Sequence, residues 1–292
     1  MSVERPSSPF PCQRTLTFFP LPLFSPTLRG EQNAGCGGPP QLEYYGCALP
    51  ALISDWRLKL DNPSLPFGVY LLAPWSASSD AFPMLRLAQV RASTQLSNVV
   101  TCSTLDAGEP NGGPVHSPFK QLPASRCAAA MQTLVYNRGA KAPPYLGPRA
   151  VSATLMAADA SAPTTRVSVA FTPGSALVLN TTVACPSKVF NGTGGCEAFA
   201  LQRAAPNCSW VRTAPQGPAV ASLVGRVLQL DLGDGGGVAA VRGLFANWPL
   251  AQLYSAEGLP ADPWLLNVSG GGAGCPLPCS QGCLWEDTGA HA

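Results

Sequence analysis

Between residues 41 and 60 (QLEYYGCALPALISDWRLKL), Leu42, Tyr45, Leu49, Leu52, Ile53, Trp56 and Leu60 recur every three or four positions, the period that gathers apolar side chains on one face of a helix. Pro50 falls inside the stretch and predicts a kink. After Asn62-Pro63 comes a short apolar run at 66–73, bounded by breakers, as expected of a strand covered on both faces. A second helical period runs over 84–92, a second buried strand over 98–104, and an Ala- and Met-rich helix over 124–136. This alternation predicts an α/β layer. Beyond a Gly-, Pro- and Lys-rich stretch at 138–148, the period changes to two. Short β-branched runs at 151–156, 166–171, 176–182, 224–232 and 238–244, separated by turns such as Asp234-Gly235-Gly236, predict an antiparallel β-sandwich.

Composition agrees with a packed, strand- and turn-rich protein of about two domains. Charged residues are 12% of the 292 positions, about half the usual share, while 29 glycines and 31 prolines supply about a fifth of the chain. A net charge of +2 with no basic run leaves no electrostatic footprint for nucleic acid and no polybasic membrane patch. The apolar segment 15–28 is broken by Pro20, Pro22 and Pro26, so insertion into a membrane is not expected.

Eleven cysteines leave at least one thiol unpaired or intermolecular. With only His116 and His291 as imidazoles, and the tail cysteines 275, 279 and 283 not spaced as Cys-x2-Cys, no metal site is expected. No cofactor motif is present either. GDGGGV at 233–238 lacks the Lys of a phosphate loop, and there is no Gly-x-Ser-x-Gly elbow. Glycosylation sequons at Asn180, Asn191, Asn207 and Asn267 lie in the stretch that also holds Cys185, Cys196 and Cys208. Together they favour an oxidising secretory compartment.

Any imidazole chemistry in the body of the chain must use His116, in the turn-rich GGPVHSPFKQ between a predicted strand and a predicted helix. Glu31 lies in LRGEQNAG, followed by Gln32 and Asn33. Six collinear segments now carry a resemblance: RGEQNAG, ALPALISDWR, PFGVYLL, FPMLRLAQ, HSPFKQ and VRGLFANWPLAQLYSAEGLPADPW. They resemble sialate O-acetylesterase and the related acetyl-xylan-type carbohydrate esterases of the SGNH-hydrolase superfamily, over roughly residues 29–267. The family's motifs there are Gln-Gly-Glu-Ser/Ala-Asn-Ala, Phe-Pro-x-Met-Ile-x-Asp-Trp-Arg and His-Pro-x-x-Lys-Gln, with a closing Trp-Pro-x-x-x-Leu-Tyr segment. Arg29 replaces the family's first Gln, and Ser117 its proline.

The resemblance implies an α/β fold: the C-terminal half of an SGNH-type three-layer α/β/α hydrolase domain at 29–140, followed by the antiparallel β-sandwich at 146–270. Residues 1–28 are expected to be an irregular Pro-rich N-terminus, and 271–292 an irregular Gly/Cys tail. The implied activity is hydrolysis of sugar O-acetyl esters by a Ser-His-Glu mechanism, with His116 as the base, Glu31 orienting it and Asn33 near the oxyanion. The partner would be an O-acetylated carbohydrate. The family's Gly-Gln-Ser-Asn nucleophile motif is not found, so the expected product is a truncated and inactive form, secreted or lysosomal/vacuolar. A second expectation, from another class, is a non-catalytic secreted carbohydrate-binding or interaction protein, with Trp210, Trp248 and Trp264 stacking on sugars.

Overall fold

A computed structural model describes residues 39–75, 81–109, 116–136, 144–156, 164–172, 174, 176–186, 196–214 and 217–275. The first apolar period becomes helix α1 (Pro39–Lys59), which opens on a proline pair where the missing N–H groups have no intrahelical partner to lose. Pro50 forfeits one hydrogen bond inside the helix, which nonetheless continues to Lys59. The buried face is narrower than the periodicity predicts. Ile53 and Arg57 are buried, whereas Leu52, Trp56 and Leu60 are 50%, 51% and 59% exposed. The helix is held by α2 (Ala81–Gln95) and by Arg57, which donates to the Leu65 carbonyl at 2.9 Å and the Ser97 carbonyl at 2.7 Å. Trp56 meets the Phe67 ring only edge-on, 6.2 Å between centroids.

Strands β1 (Phe67–Tyr70) and β2 (Val99–Cys102) flank α2 in sequence and pair in parallel, from Phe67↔Val99 to Tyr70↔Cys102, forming a βαβ unit. Helix α3 (Gln121–Met131) follows and runs into one π-helical turn, Gln132–Tyr136. It starts earlier than the Ala-rich pattern suggests because Pro123 lies in its first turn, where a proline costs no helical hydrogen bond. Val100 and Cys102 face α3, where Cys102 is disulfide-bonded to Cys127 and packs with Ala130. Gly68 makes this approach feasible: a Cβ there would lie 2.7 Å from Cys127 Sγ and 2.9 Å from Met131 Cε.

The chain then builds β3 (Ala150–Leu155), β4 (Arg166–Phe171), β7 (Phe199–Arg203), β8 (Trp210–Arg212), β9 (Val220–Val224), β10 (Val227–Asp231), β11 (Val238–Gly243) and β14 (Trp264–Ser269). These make one eight-stranded sheet in the order β8-β7-β11-β14-β3-β4-β10-β9. Short ladders β5 (Leu177–Leu179) with β13 (Leu253–Ser255), and β6 (Cys196–Glu197) with β12 (Trp248–Pro249), accompany it. Of the strands expected as an antiparallel sandwich, those at 151–156, 166–171, 224–232 and 238–244 lie in this one sheet, which is mixed because β14 returns beside β3 in parallel through Val268↔Ala153, while 176–182 supplies β5 to a separate ladder. The sheet is curled: Leu201 and Val241 near one end and Leu228 and Leu230 near the other share one core with Val167, Val169 and Phe171. The strand predicted over 224–232 corresponds to β10, which begins only at Val227 and forms a hairpin with the unpredicted β9 just before it. Its two-residue turn is Gly225-Arg226, with Gly225 at φ +61° where a side chain would be strained.

Burial follows position in the sheet. On β4 and β10 alternate residues face the core, as a half-solvated sheet requires. On β7 and β11 nearly every residue is buried, so the alternation is lost. There Phe245, just past β11, packs with Met84 and Leu85 of α2. The two ends of the sheet differ as well. Arg212 of β8 is ion-paired to Glu197 at 3.2 Å, whereas β9 has no charged residue and leaves Val220 and Val224 more than half exposed.

Arg86 fastens the two halves. Fully buried on α2, it donates from Nε to the Leu72 carbonyl at 2.6 Å and from Nη2 to the Ala73 carbonyl at 2.9 Å. The same guanidinium reaches across to the carbonyls of Ala246 at 2.5 Å and Asn247 at 3.1 Å, just before β12. Asp262, buried beside β14, accepts from Arg149 Nε at 2.7 Å and from Thr101 of β2 at 3.3 Å. Arg149 also donates to Ser93 of α2 at 2.9 Å. Leu71 and Leu105 of the βαβ region belong to the main core cluster, so burial continues across the junction.

Replacing Arg86 by Met leaves these carbonyls without that donor. Urea unfolding monitored by circular dichroism is expected to show a loss of about 3–5 kcal/mol. Arg86→Lys should recover little of it, since a point ammonium cannot span four carbonyls.

Candidate functional site

The loop after β2 carries the candidate chemistry, at the C-terminal end of the parallel strands where open α/β sheets place their ligands. Thr104 Oγ1 donates to the Leu71 carbonyl at 2.6 Å, joining the exits of β1 and β2. Two residues on, Asp106 receives both arms of the Arg126 guanidinium, at 2.6 and 2.7 Å, so the loop is anchored to α3. The Tyr254 hydroxyl of β13 donates to the same carboxylate at 3.3 Å. Burial, and then the negative charge of Asp106, push the Tyr254 phenol above its ordinary range. Three elements distant in sequence therefore converge on one carboxylate.

His116 lies further along this connection, exposed, directly ahead of α3. Its neighbour Ser117 is buried and its Oγ accepts the Phe119 N–H at 3.2 Å, closing a tight turn that leads into the helix. Ser117 stands where the resembling family has proline. The histidine is thus held next to a fixed turn with its side chain toward solvent.

Glu31 and Asn33 lie outside the described residues, as does Asn191, so a meeting of Glu31 with His116 falls outside what the structure describes. The other sequon asparagines, Asn180, Asn207 and Asn267, are exposed. Among the described residues, no group of three His, Cys, Asp or Glu side chains is placed to hold a metal. No helix among them is long and apolar enough to cross a membrane.

Two of the three tryptophans considered for sugar stacking are unsuited to it. Trp248 is buried, and Trp264 is packed between Phe171 and Phe199, with centroids at 5.4 and 5.5 Å. Trp210 is half-buried, with the Arg242 guanidinium 4.2 Å from its ring centroid. Arg242 is itself gripped by Glu197, at 2.7 Å from both carboxylate oxygens. Sequence reasoning missed Asp106, Arg126 and Tyr254. Asp106 and Arg126 flank His116 in sequence and were open to notice, but nothing local to Tyr254 signals a partner 148 positions away.

The fold is therefore a mixed α/β one with a large curled β-sheet, its candidate site on a βα connection. No family model and no curated protein matches the sequence. Among solved structures, the chain is similar to a carbohydrate acetylesterase from Xanthomonas citri, at 21% identity and a TM-score of 0.62. The match covers 81% of this chain and 48% of that one, so this chain spans about half the length of that enzyme.

The Tyr254 contact predicts an alkaline limb in the stability curve. The fold favours the neutral phenol, so this contribution is intact below the ordinary tyrosine value of about 10 and declines as pH rises beyond it. Tyr254→Phe should flatten that decline in thermal melts. It should also remove the latest-titrating component of the tyrosinate absorbance.

Proposed function

We propose that this chain is a carbohydrate O-acetylesterase-type protein of the SGNH kind, related to sialate O-acetylesterases, whose ligand is an O-acetylated sugar. The observation that carries the reading is His116: an exposed imidazole beside the Ser117–Phe119 turn directly ahead of α3, in a fold similar to that of a carbohydrate acetylesterase. The six collinear segments support it from the sequence side.

In this reading His116 takes the proton from a serine hydroxyl as its oxygen attacks the acetyl carbonyl. It then delivers that proton to the sugar oxygen as the ester C–O bond breaks. Water, deprotonated by the same imidazole, next cleaves the acetyl-serine and releases acetate. Glu31 holds the imidazole in the required tautomer and stabilises its cation, and Asn33 donates toward the oxyanion. The serine is the part not recognisable in this sequence: no residue here stands in the family's Gly-Gln-Ser-Asn setting. Without that serine, this reading expects the chain by itself not to hydrolyse the ester. The sequons and paired cysteines are the grounds for proposing a secreted, lysosomal or vacuolar location.

Purified protein given 4-nitrophenyl acetate or an O-acetylated sialic acid should release no acetate above the rate in buffer. A longer chain with a nucleophile-bearing segment ahead of Met1 should hydrolyse the sugar ester, and His116→Ala in it should lower kcat by about 10⁴-fold or more. An inert longer chain, or one indifferent to the His116 substitution, would contradict the esterase reading. Turnover by the present chain would contradict its inactivity.

A further inference from the structure

The sequence offers four sequons as equals, but the local structures of the three described ones differ in ways that bear on glycosylation. Oligosaccharide transfer joins the side-chain Nδ2 of asparagine to the anomeric carbon of a sugar carried on a polyprenyl pyrophosphate. The anomeric C–O bond breaks, the polyprenyl pyrophosphate leaves, and Nδ2 gives up one proton to the transferase. The step favours an asparagine whose carboxamide is already turned onto the hydroxyl two residues on. A hydrogen bond to Oδ1 withdraws charge from the amide and eases loss of that proton.

Asn180 has this arrangement. Its Oδ1 accepts from the Thr182 hydroxyl at 2.7 Å and from the Thr182 N–H at 3.0 Å, and both residues are exposed. The turn involves only Asn180, Thr181 and Thr182, so it needs no distant contact and is open to the chain before it folds. In the folded protein the site follows β5 directly, where the Asn180 backbone N–H donates to the Gln252 carbonyl at 2.7 Å. That bond fixes the backbone and leaves the carboxamide pointing to solvent, with room for a bulky sugar.

The other two are built differently. Asn207 Oδ1 is approached by the Ser209 backbone N–H, at 3.2 Å, and the central residue of its sequon, Cys208, is disulfide-bonded to Cys275. Once that bridge forms, the tripeptide is tied to a segment 67 positions away and is no longer an extendable loop. Asn267 lies within β14, opposite Ala240 of β11, and the next residue, Val268, is buried in the core. A β-branched Val at the centre favours the extended conformation over the turn.

We infer that Asn180 is the principal N-glycan acceptor among these three sites, with Thr182 as the hydroxyl that sets its geometry. The inference rests on the proposed passage through the secretory pathway. The test therefore imposes that passage by placing a cleavable leader ahead of the full chain in a eukaryotic cell. Site occupancy is read by enzymatic deglycosylation in heavy-oxygen water, which marks each occupied asparagine as a labelled aspartate in peptide mass spectra. Intracellular and secreted protein are both analysed, so a folding defect does not hide the result.

The expected outcome is occupancy several-fold higher at Asn180 than at Asn207 or Asn267, lost in Thr182→Ala and lowered but retained in Thr182→Ser. An unlabelled Asn180, occupancy at Asn207 or Asn267 equal to it, or full labelling in Thr182→Ala would overturn the inference. None of these outcomes depends on esterase activity. The chain expressed without the leader tests the location separately.

Discussion

The guanidinium of Arg86 is the contact on which the rest of the molecule depends. A cation placed in a protein interior is unfavourable by several kcal/mol unless its donors are matched. Here the matching groups are main-chain carbonyls from two distant stretches, 72–73 and 246–247. Because carbonyls are fixed to the backbone, satisfying this side chain sets where the exit of β1 lies relative to the strand-rich half. Gln89, one turn further along α2, repeats the device: it accepts the Leu72 N–H and donates to the Tyr70 carbonyl, each at 3.0 Å. The segment leaving β1 thus takes several of its hydrogen bonds from side chains of α2.

Arginine recurs in this role. Fourteen of the eighteen basic residues are arginine, and several serve as internal braces: Arg126 on Asp106, Arg149 on Asp262, Arg242 and Arg212 on Glu197. A planar fork with fixed donors suits carboxylates and carbonyls that cannot move to meet it. The low overall charge of the chain therefore understates its electrostatic order, since many of its ions brace elements within each half. The Asp106 cluster sits at the junction between the halves, joining the loop after β2 to α3 and to β13.

Much of the first half was legible because helix and strand periods are local properties. The windows 41–60, 84–92 and 98–104 each hold a period strong enough to survive a proline or a polar neighbour. The second half was less so. β7 is buried almost throughout and short, so FALQR gives no alternation to read, and β9 went unseen ahead of the turn at Gly225 that joins it to β10. The width of the α1 apolar stripe was overread, since spacing shows which residues share a face but not whether anything packs on it. At the site, His116 stood out by being nearly alone among imidazoles. Arg86 was quoted inside a motif without its role being visible, because a buried arginine and a surface one look the same in sequence.

The unequal ends of the curled sheet have a consequence for the protein in concentrated solution. Strand β8 presents charge at its border, whereas β9 offers an unbroken row of main-chain donors and acceptors with valines on either side and nothing to repel a newcomer. The two borders of the sheet are therefore unequal as templates for a strand from another molecule. The β9 border is the one an added strand would meet without opposing charge, because VASLV carries no ion where β8 carries Arg212.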